Sequence, residues 1–184
     1  MKKLRLLALC AGFLTVGQSA IADGLGFQLE GALESGGDDV ATVFFINGDS
    51  QNVATGDGGT LAVGAHYRVN KASPWDTVGT VGYKFVTTAA TNVDIGITRT
   101  TLKLEERYHF NDSIWAGAGL TMHSNINFDC GGLCLDMGFD DATGFVASLG
   151  WKFVALTYTN IQYTGEDHHD YDASNIGLLF TAGF

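Results

Sequence analysis

Apolar and polar positions alternate with a period of two in eight stretches between Leu25 and the last residue, the pattern of β-strands with one apolar face. The first sets Leu25, Phe27, Leu29 and Leu33 against Gln28, Glu30 and Glu34. The second has Leu61 to Val69 against Thr60, Gly64, His66 and Arg68; the third has Val81, Tyr83 and Phe85 against Thr80, Gly82 and Lys84. In the fourth, Leu102, Leu104, Tyr108 and Phe110 oppose Thr101, Lys103, Glu105, Arg107 and His109. The fifth places Ile114 to Met122 against Trp115, Gly117, Gly119, Thr121 and His123. Phe145 to Phe153 against Val146, Ser148, Gly150 and Lys152 form the sixth. The seventh, Val154 to Tyr163, is ambiguous in phase, and the eighth alternates cleanly from Ile176 to Phe184.

The connections alternate in length. Ser35 to Gly59, Thr87 to Asp94, Ser124 to Ala142 and Gly165 to Ser174 are long, whereas Asn70 to Asp76, Asn111 to Ser113 and a turn near Val154 are short. Long loops therefore gather at one end of the molecule, with both termini at the other. Alternation alone does not say which face is outside, but volume does. An eight-stranded barrel is just wide enough inside for side chains to fill it, and Tyr67, Tyr83, Phe85, Tyr108, Phe110, Phe145, Trp151, Phe153, Phe180 and Phe184 are too bulky to share that interior. The Gly-, Ala-, Thr- and Ser-rich face with a few charges suits a narrow lumen. The expected fold is all-β: a closed eight-stranded antiparallel up-and-down transmembrane β-barrel, with periplasmic termini and long extracellular loops.

The N-terminus adds a compartment. Lys2, Lys3 and Arg5, an apolar run from Leu6 to Val16 and the Ala20-Ile-Ala22 triplet read as a secretory signal peptide over 1–22, leaving 23–184 as one barrel domain. No later apolar run approaches the roughly 20 residues of a transmembrane helix. The signal holds three of the ten basic residues and none of the twenty acidic ones, so the mature chain carries seven against twenty, a net −13. Such a surface disfavours nucleic acid as a partner and membrane binding through a basic patch. A mean hydropathy of +0.12 with a single proline excludes a disordered chain.

Two cysteines remain after cleavage, Cys130 and Cys134, and in an oxidising compartment so close a pair reads first as a disulfide that shapes a loop tip, ahead of a zinc site that would need two further ligands. Taken together, Gly36-Gly-Asp38, Gly82-Tyr-Lys-Phe85, Leu102 to Phe110, Phe139-Asp-Asp-Ala142, Tyr158 to Tyr163 and the terminal Ile176 to Phe184 strand resemble the small eight-stranded outer-membrane barrels, the family of the OmpA membrane domain, OmpX and OmpW, and closest to an uncharacterised group within it. The resemblance implies localisation in the outer membrane of a Gram-negative cell and contact with outer-membrane lipid and lipopolysaccharide. It also implies that Phe180 and Phe184 belong to an assembly signal read by the barrel-assembly machinery.

Candidate chemistry is sparse. Glu30, Arg68, Lys84, Lys103, Glu105 and Arg107 are expected to point inward as a lumen charge network, which must pair and hydrogen-bond to be tolerated there. If they line a path instead, the protein is a narrow channel for small solutes. Met122-His-Ser-Asn125 is similar to the His-x-Ser-Asn motif of lipid A 3-O-deacylases, but on a strand His123 and Ser124 point to opposite faces unless a bulge intervenes. The polar lumen also disfavours a palmitoyltransferase variant. Glu166-Asp-His-His-Asp170 with Asp172 offers carboxylate and imidazole for a divalent cation, or a solvated loop. Val40 to Ile46 is an apolar run in the first long loop, suited to a hairpin above the membrane or a partner contact. The expectation is a monomeric, non-enzymatic barrel without a cofactor, catalytic site or metal site, acting as a structural or surface-interaction protein through acidic extracellular loops.

Overall fold

The computed structural model describes residues 24–44, 50–70, 72–87, 95–132, 136–166 and 168–184. The stretch 1–22 expected as a signal peptide, part of the Val40 to Ile46 run, most of the second long loop, Cys134 and Asp167 lie outside the described residues. The described residues form thirteen strands: β1 (Leu25–Ser35), β2 (Asp39–Phe44), β3 (Ser50–Ala54), β4 (Gly58–Tyr67), β5 (Trp75–Thr87), β6 (Gly96–His109), β7 (Ile114–Asp129), β8 (Met137–Phe139), β9 (Ala142–Trp151), β10 (Val154–Asn160), β11 (Gln162–Thr164), β12 (Asp170–Asp172) and β13 (Asn175–Gly183).

Eight of them close a barrel. The order is β6-β5-β4-β1-β13-β10-β9-β7, and β6 pairs with β7 to complete the ring. All pairings are antiparallel, and β1 meets β13 from Gln28↔Gly183 to Ser35↔Ile176. Closure leaves no strand edge to lipid. At the seam, Phe27 and Phe184 exchange backbone hydrogen bonds of 2.9 Å in both directions, which fixes the last residue to the first strand.

The outward face of the barrel is an apolar belt that includes Leu33, Leu61, Leu102, Leu120, Leu149, Leu156 and Ile176, all exposed. Water-soluble monomers rarely expose so continuous an apolar surface, and the barrel is a membrane-spanning one. The β9–β10 turn shows how tight the short-turn end is: Trp151 pairs directly with Val154, leaving Lys152 and Phe153 as a two-residue loop in which Lys152 takes φ 55°.

The long-loop end is built differently. Opposite Arg99, β7 carries one extra residue, because Thr100 pairs with Ser124 while Thr98 pairs with Asn127. Asn125 absorbs this bulge at φ 50°, a conformation that Asn tolerates better than most residues. The bulge inverts the phase of the strand. Below it Leu120 and Met122 face out and His123 faces in; above it Ile126 and Phe128 face in and Asn127 and Asp129 face solvent. The stretch from Ser124, expected as loop, is thus strand as far as Asp129, and it follows the apolar-in pattern of a water-soluble protein. Inward Ile97, Ile126 and Phe128 join Val53, Phe139, Ile161, Tyr163 and Ala173 in a buried core above the membrane belt, against which Val40 and Ala41 of the β2–β3 hairpin pack.

Candidate functional site: the charged lumen and its seal

The inward phase of β1 and β6 delivers most of the charge, since Glu30 and Glu34 alternate with lipid-facing residues on β1, and Arg99, Lys103, Glu105 and Arg107 share one face of β6. At mid-lumen these form a closed four-residue network. Lys103 Nζ donates to Glu30 Oε2 at 2.7 Å and lies 3.6 Å from Glu105 Oε2. Arg107 bridges both carboxylates, with Nη2 donating to Glu30 Oε1 at 2.7 Å and to Glu105 Oε2 at 2.8 Å, and Nε to Glu105 Oε2 at 2.9 Å. The Ser148 hydroxyl donates to the other Glu105 oxygen, and Gln28 donates to Thr181. Glu30, Glu105 and Arg107 are buried and Lys103 is half-buried, so their pairing offsets a desolvation cost that would otherwise forbid them.

Trp115, among the described residues the one large aromatic that faces inward at this level, closes the network from below. The Arg107 guanidinium lies 4.4 Å from its ring centroid, and its Nε1 donates to the Lys152 carbonyl at 3.2 Å. The ring fits only because a glycine stands beside it: a Cβ on Gly150 would fall 1.9 Å from Trp115 Cε2.

A second charge layer lies toward the long loops. Lys84 Nζ is 3.2 Å from Glu34 Oε2, and Thr60 donates to that same oxygen at 2.5 Å. Here the turn between β3 and β4 bends over the mouth and presents three successive carbonyls inward. Arg99 donates to Thr55 O at 2.7 Å and to Asp57 O at 2.5 Å, and Lys84 donates to Gly56 O at 2.8 Å. Arg99 is fully buried, and its guanidinium also sits 5.7 Å from the Tyr163 ring centroid. The turn is held by Asp57, whose carboxylate accepts from Gly36 N at 3.0 Å and Ala54 N at 3.4 Å. The first and last long loops are stitched across it: Asp38 N donates to Asp172 O at 2.7 Å, Asp172 N to Asp38 Oδ2 at 2.8 Å, and the Thr55 hydroxyl to Asp172 O. Gly37 sits in this knot at φ 87°, where a Cβ would lie 2.7 Å from Asp172 O, so the crossing requires glycine.

Between the two layers is a cavity of about 60 Å³, bordered by Glu30, Glu34, Lys84, Lys103 and His123 among threonines. A water needs about 10–15 Å³ of such space, so the chamber holds a few waters and no larger solute. His123 Nδ1 closes it from above, 2.5 Å from Tyr163 Oη. Tyr163 belongs to the core above the membrane, and burial pushes its phenol up to about 12.

The six charges expected to point inward therefore divide among three clusters. Glu30, Lys103, Glu105 and Arg107 are one; Lys84 joins Glu34 in the second. Arg68 lies at the short-turn rim, with Nη2 2.8 Å from His109 Nε2 and 3.6 Å from Asp76 Oδ2. The partners Glu34, Asp76, Arg99, Trp115 and Tyr163 complete these clusters. Among the described residues, three buried side-chain atoms lack a partner: Asp76 Oδ1, Arg99 Nε and Asn175 Oδ1.

The remaining candidates fall elsewhere. The bulge comes one residue too late to unite His123 with Ser124: His123 faces the lumen, and Ser124 pairs with Thr100 on the outer side. Among the described residues, the hydroxyl hydrogen-bonded to that imidazole is the Tyr163 phenol, not Ser124. Cys130 is buried in the upper core, and the Cys130–Cys134 pairing lies outside the described residues because Cys134 does. Asp170 accepts from Thr164 at 2.8 Å, His169 stands edge-on to Tyr171 at 4.9 Å, and among the described residues no three His, Cys, Asp or Glu side chains converge as a metal site. On the lipid side, Phe180 is exposed and the Phe184 ring lies 6.5 Å from that of Phe27.

No protein-family model matches the sequence, and no curated protein matches it. Among solved structures, the chain is similar to Ail, the attachment invasion locus protein of Yersinia pestis, in a structure with the heparin analogue sucrose octasulfate. The two are 8% identical over 88% of this chain and 100% of that one, with a TM-score of 0.48. The fold of the present chain rests on its own strand pairing.

Proposed function

We propose that the protein is a non-enzymatic barrel of the bacterial outer membrane, non-conducting, that works through its acidic extracellular head. The observation that supports this most is the double closure of the lumen: a paired charge network at mid-height, and above it two cations locked onto the carbonyls of Thr55, Gly56 and Asp57 beneath an apolar core. A solute path needs a wet, continuous lumen, and the cavity between the two charge layers, about 60 Å³, has room for a few waters. A hydrolase needs an activated nucleophile, and Ser124 is on the wrong face.

The head has one sign of charge. Residues 36–57, 88–95, 125–141 and 161–174 hold thirteen of the twenty acidic residues and neither Lys nor Arg. In this reading the long loops are extracellular, both chain ends are periplasmic, and the β13 strand ending in Phe184 is the segment the assembly machinery reads. The head's partner is lipopolysaccharide, bridged by divalent cations because both surfaces are anionic. A binding measurement with the refolded protein and purified lipopolysaccharide checks this. Binding is expected with magnesium and not with a chelator, to weaken with added salt, and to fall when exposed Asp140, Asp141 and Glu166 are changed to Asn and Gln. Binding indifferent to all three treatments would remove the surface role. Unchanged lipid A mass after the incubation is expected; loss of an acyl chain would restore the hydrolase.

A further inference from the structure

Within the membrane belt, below the β7 bulge, the outward positions of the eight barrel strands are aliphatic, aromatic or small, with one exception. Among the described residues Glu106 of β6 is the single charged side chain on that face. An ionisable group turned to lipid is costly and marks a site when its partner comes from outside the chain. Its register neighbours are Thr77 on β5 and Ala118 on β7, and Ala118 in turn pairs with Ala147 on β9, so the carboxylate stands over short side chains. The Thr77 hydroxyl donates to Glu106 Oε1 at 2.7 Å. No basic side chain among the described residues lies within ion-pair distance of it, although six Lys or Arg pairs with carboxylates are present among the described residues of the barrel.

One step nearer the short turns is an aromatic cluster. Trp75 meets Tyr108 edge-on at 5.0 Å, and Tyr108 meets Phe110 edge-on at 5.2 Å. Two residues along a tilted strand rise about 5 Å through the membrane, so Glu106 stands just inside this ring, within the reach of its own side chain from the headgroup level. A carboxylate beside exposed aromatic faces is the combination that attracts an ammonium group, by charge and by the ring quadrupole together.

We propose that Glu106, with Trp75 and Tyr108, holds the primary-ammonium headgroup of a phosphatidylethanolamine-type phospholipid in the leaflet next to the short turns. The occupant follows from charge complementarity: an anionic headgroup is repelled, and a choline headgroup has no N–H to donate to the carboxylate. The assignment rests on the membrane span alone and holds whatever the head binds. The test is native mass spectrometry of the refolded mature protein released from micelles carrying equal amounts of phosphatidylethanolamine and phosphatidylglycerol. Wild type is expected to retain the ethanolamine lipid in roughly threefold excess, the size that an ion pair at a wet surface supports. Glu106→Gln, which keeps an acceptor for Thr77, should equalise the two lipids, and Glu106→Lys should reverse the preference, with heat-modifiable gel mobility showing that each variant is folded. Equal retention by the wild type, unchanged preference in both variants, or a dimer that Glu106→Gln abolishes would overturn it, the last by giving the carboxylate to a protein partner.

Discussion

At the scale of single residues, the lumen tolerates charge only because each buried cation and carboxylate meets an opposite charge or a carbonyl. Glu105 is the most committed of them, accepting from Arg107 through two nitrogens and from Ser148. Replacing it with Ala leaves Arg107 and Lys103 to share Glu30, and uncovering a buried charge in this way costs about 3–5 kcal/mol. Urea unfolding in micelles, followed by tryptophan fluorescence, should show the midpoint fall accordingly. Gly150→Ala tests packing instead: its Cβ has no room beside Trp115, so overpacking of about 1–3 kcal/mol is expected, relieved in a Trp115→Phe background. The inward charges were legible because alternation assigns every residue of a strand to a face. Their partners were not. Arg99 precedes the clean alternation of its strand, and the carbonyls that hold it come from a loop some forty residues away.

At the scale of elements, each of the eight alternating stretches contributes a barrel strand, and the ambiguous seventh divides at Ile161 into β10 of the barrel and β11, which pairs with β12 outside it. The boundary was hidden because Val154 to Asn160 lies in the lipid-facing belt whereas Gln162 to Thr164 belongs to the upper core, and the two environments impose opposite rules on the same period. The β7 bulge makes the same change within one strand. Deleting Asn125 should turn Ile126 and Phe128 outward, and the variant is expected to lose the heat-modifiable band on refolding; Asn125→Gly, at a φ that glycine adopts freely, should refold normally. Tyr163 reports on the upper core. Because burial holds its folded pKa at about 12, above the usual 10, its contribution to stability is complete below pH 10 and is lost as pH rises from 10 to 12. Protease sensitivity of the loops should therefore rise across that window, and less so in Tyr163→Phe.

At the scale of the whole molecule, three physical regimes are stacked along one axis: an aromatic rim at the short turns, an apolar belt around a paired charged lumen, and an acidic head with its own core. The belt and the loop asymmetry were legible because lipid forces a period-two pattern and a closed sheet. The seal was not, since it depends on which loop carbonyls meet which cations. That seal decides whether the barrel conducts. Planar-bilayer recording of the refolded mature protein tests it most directly: the membrane should stay electrically silent at either polarity after insertion, whereas stable unitary current steps would show that the lumen is open.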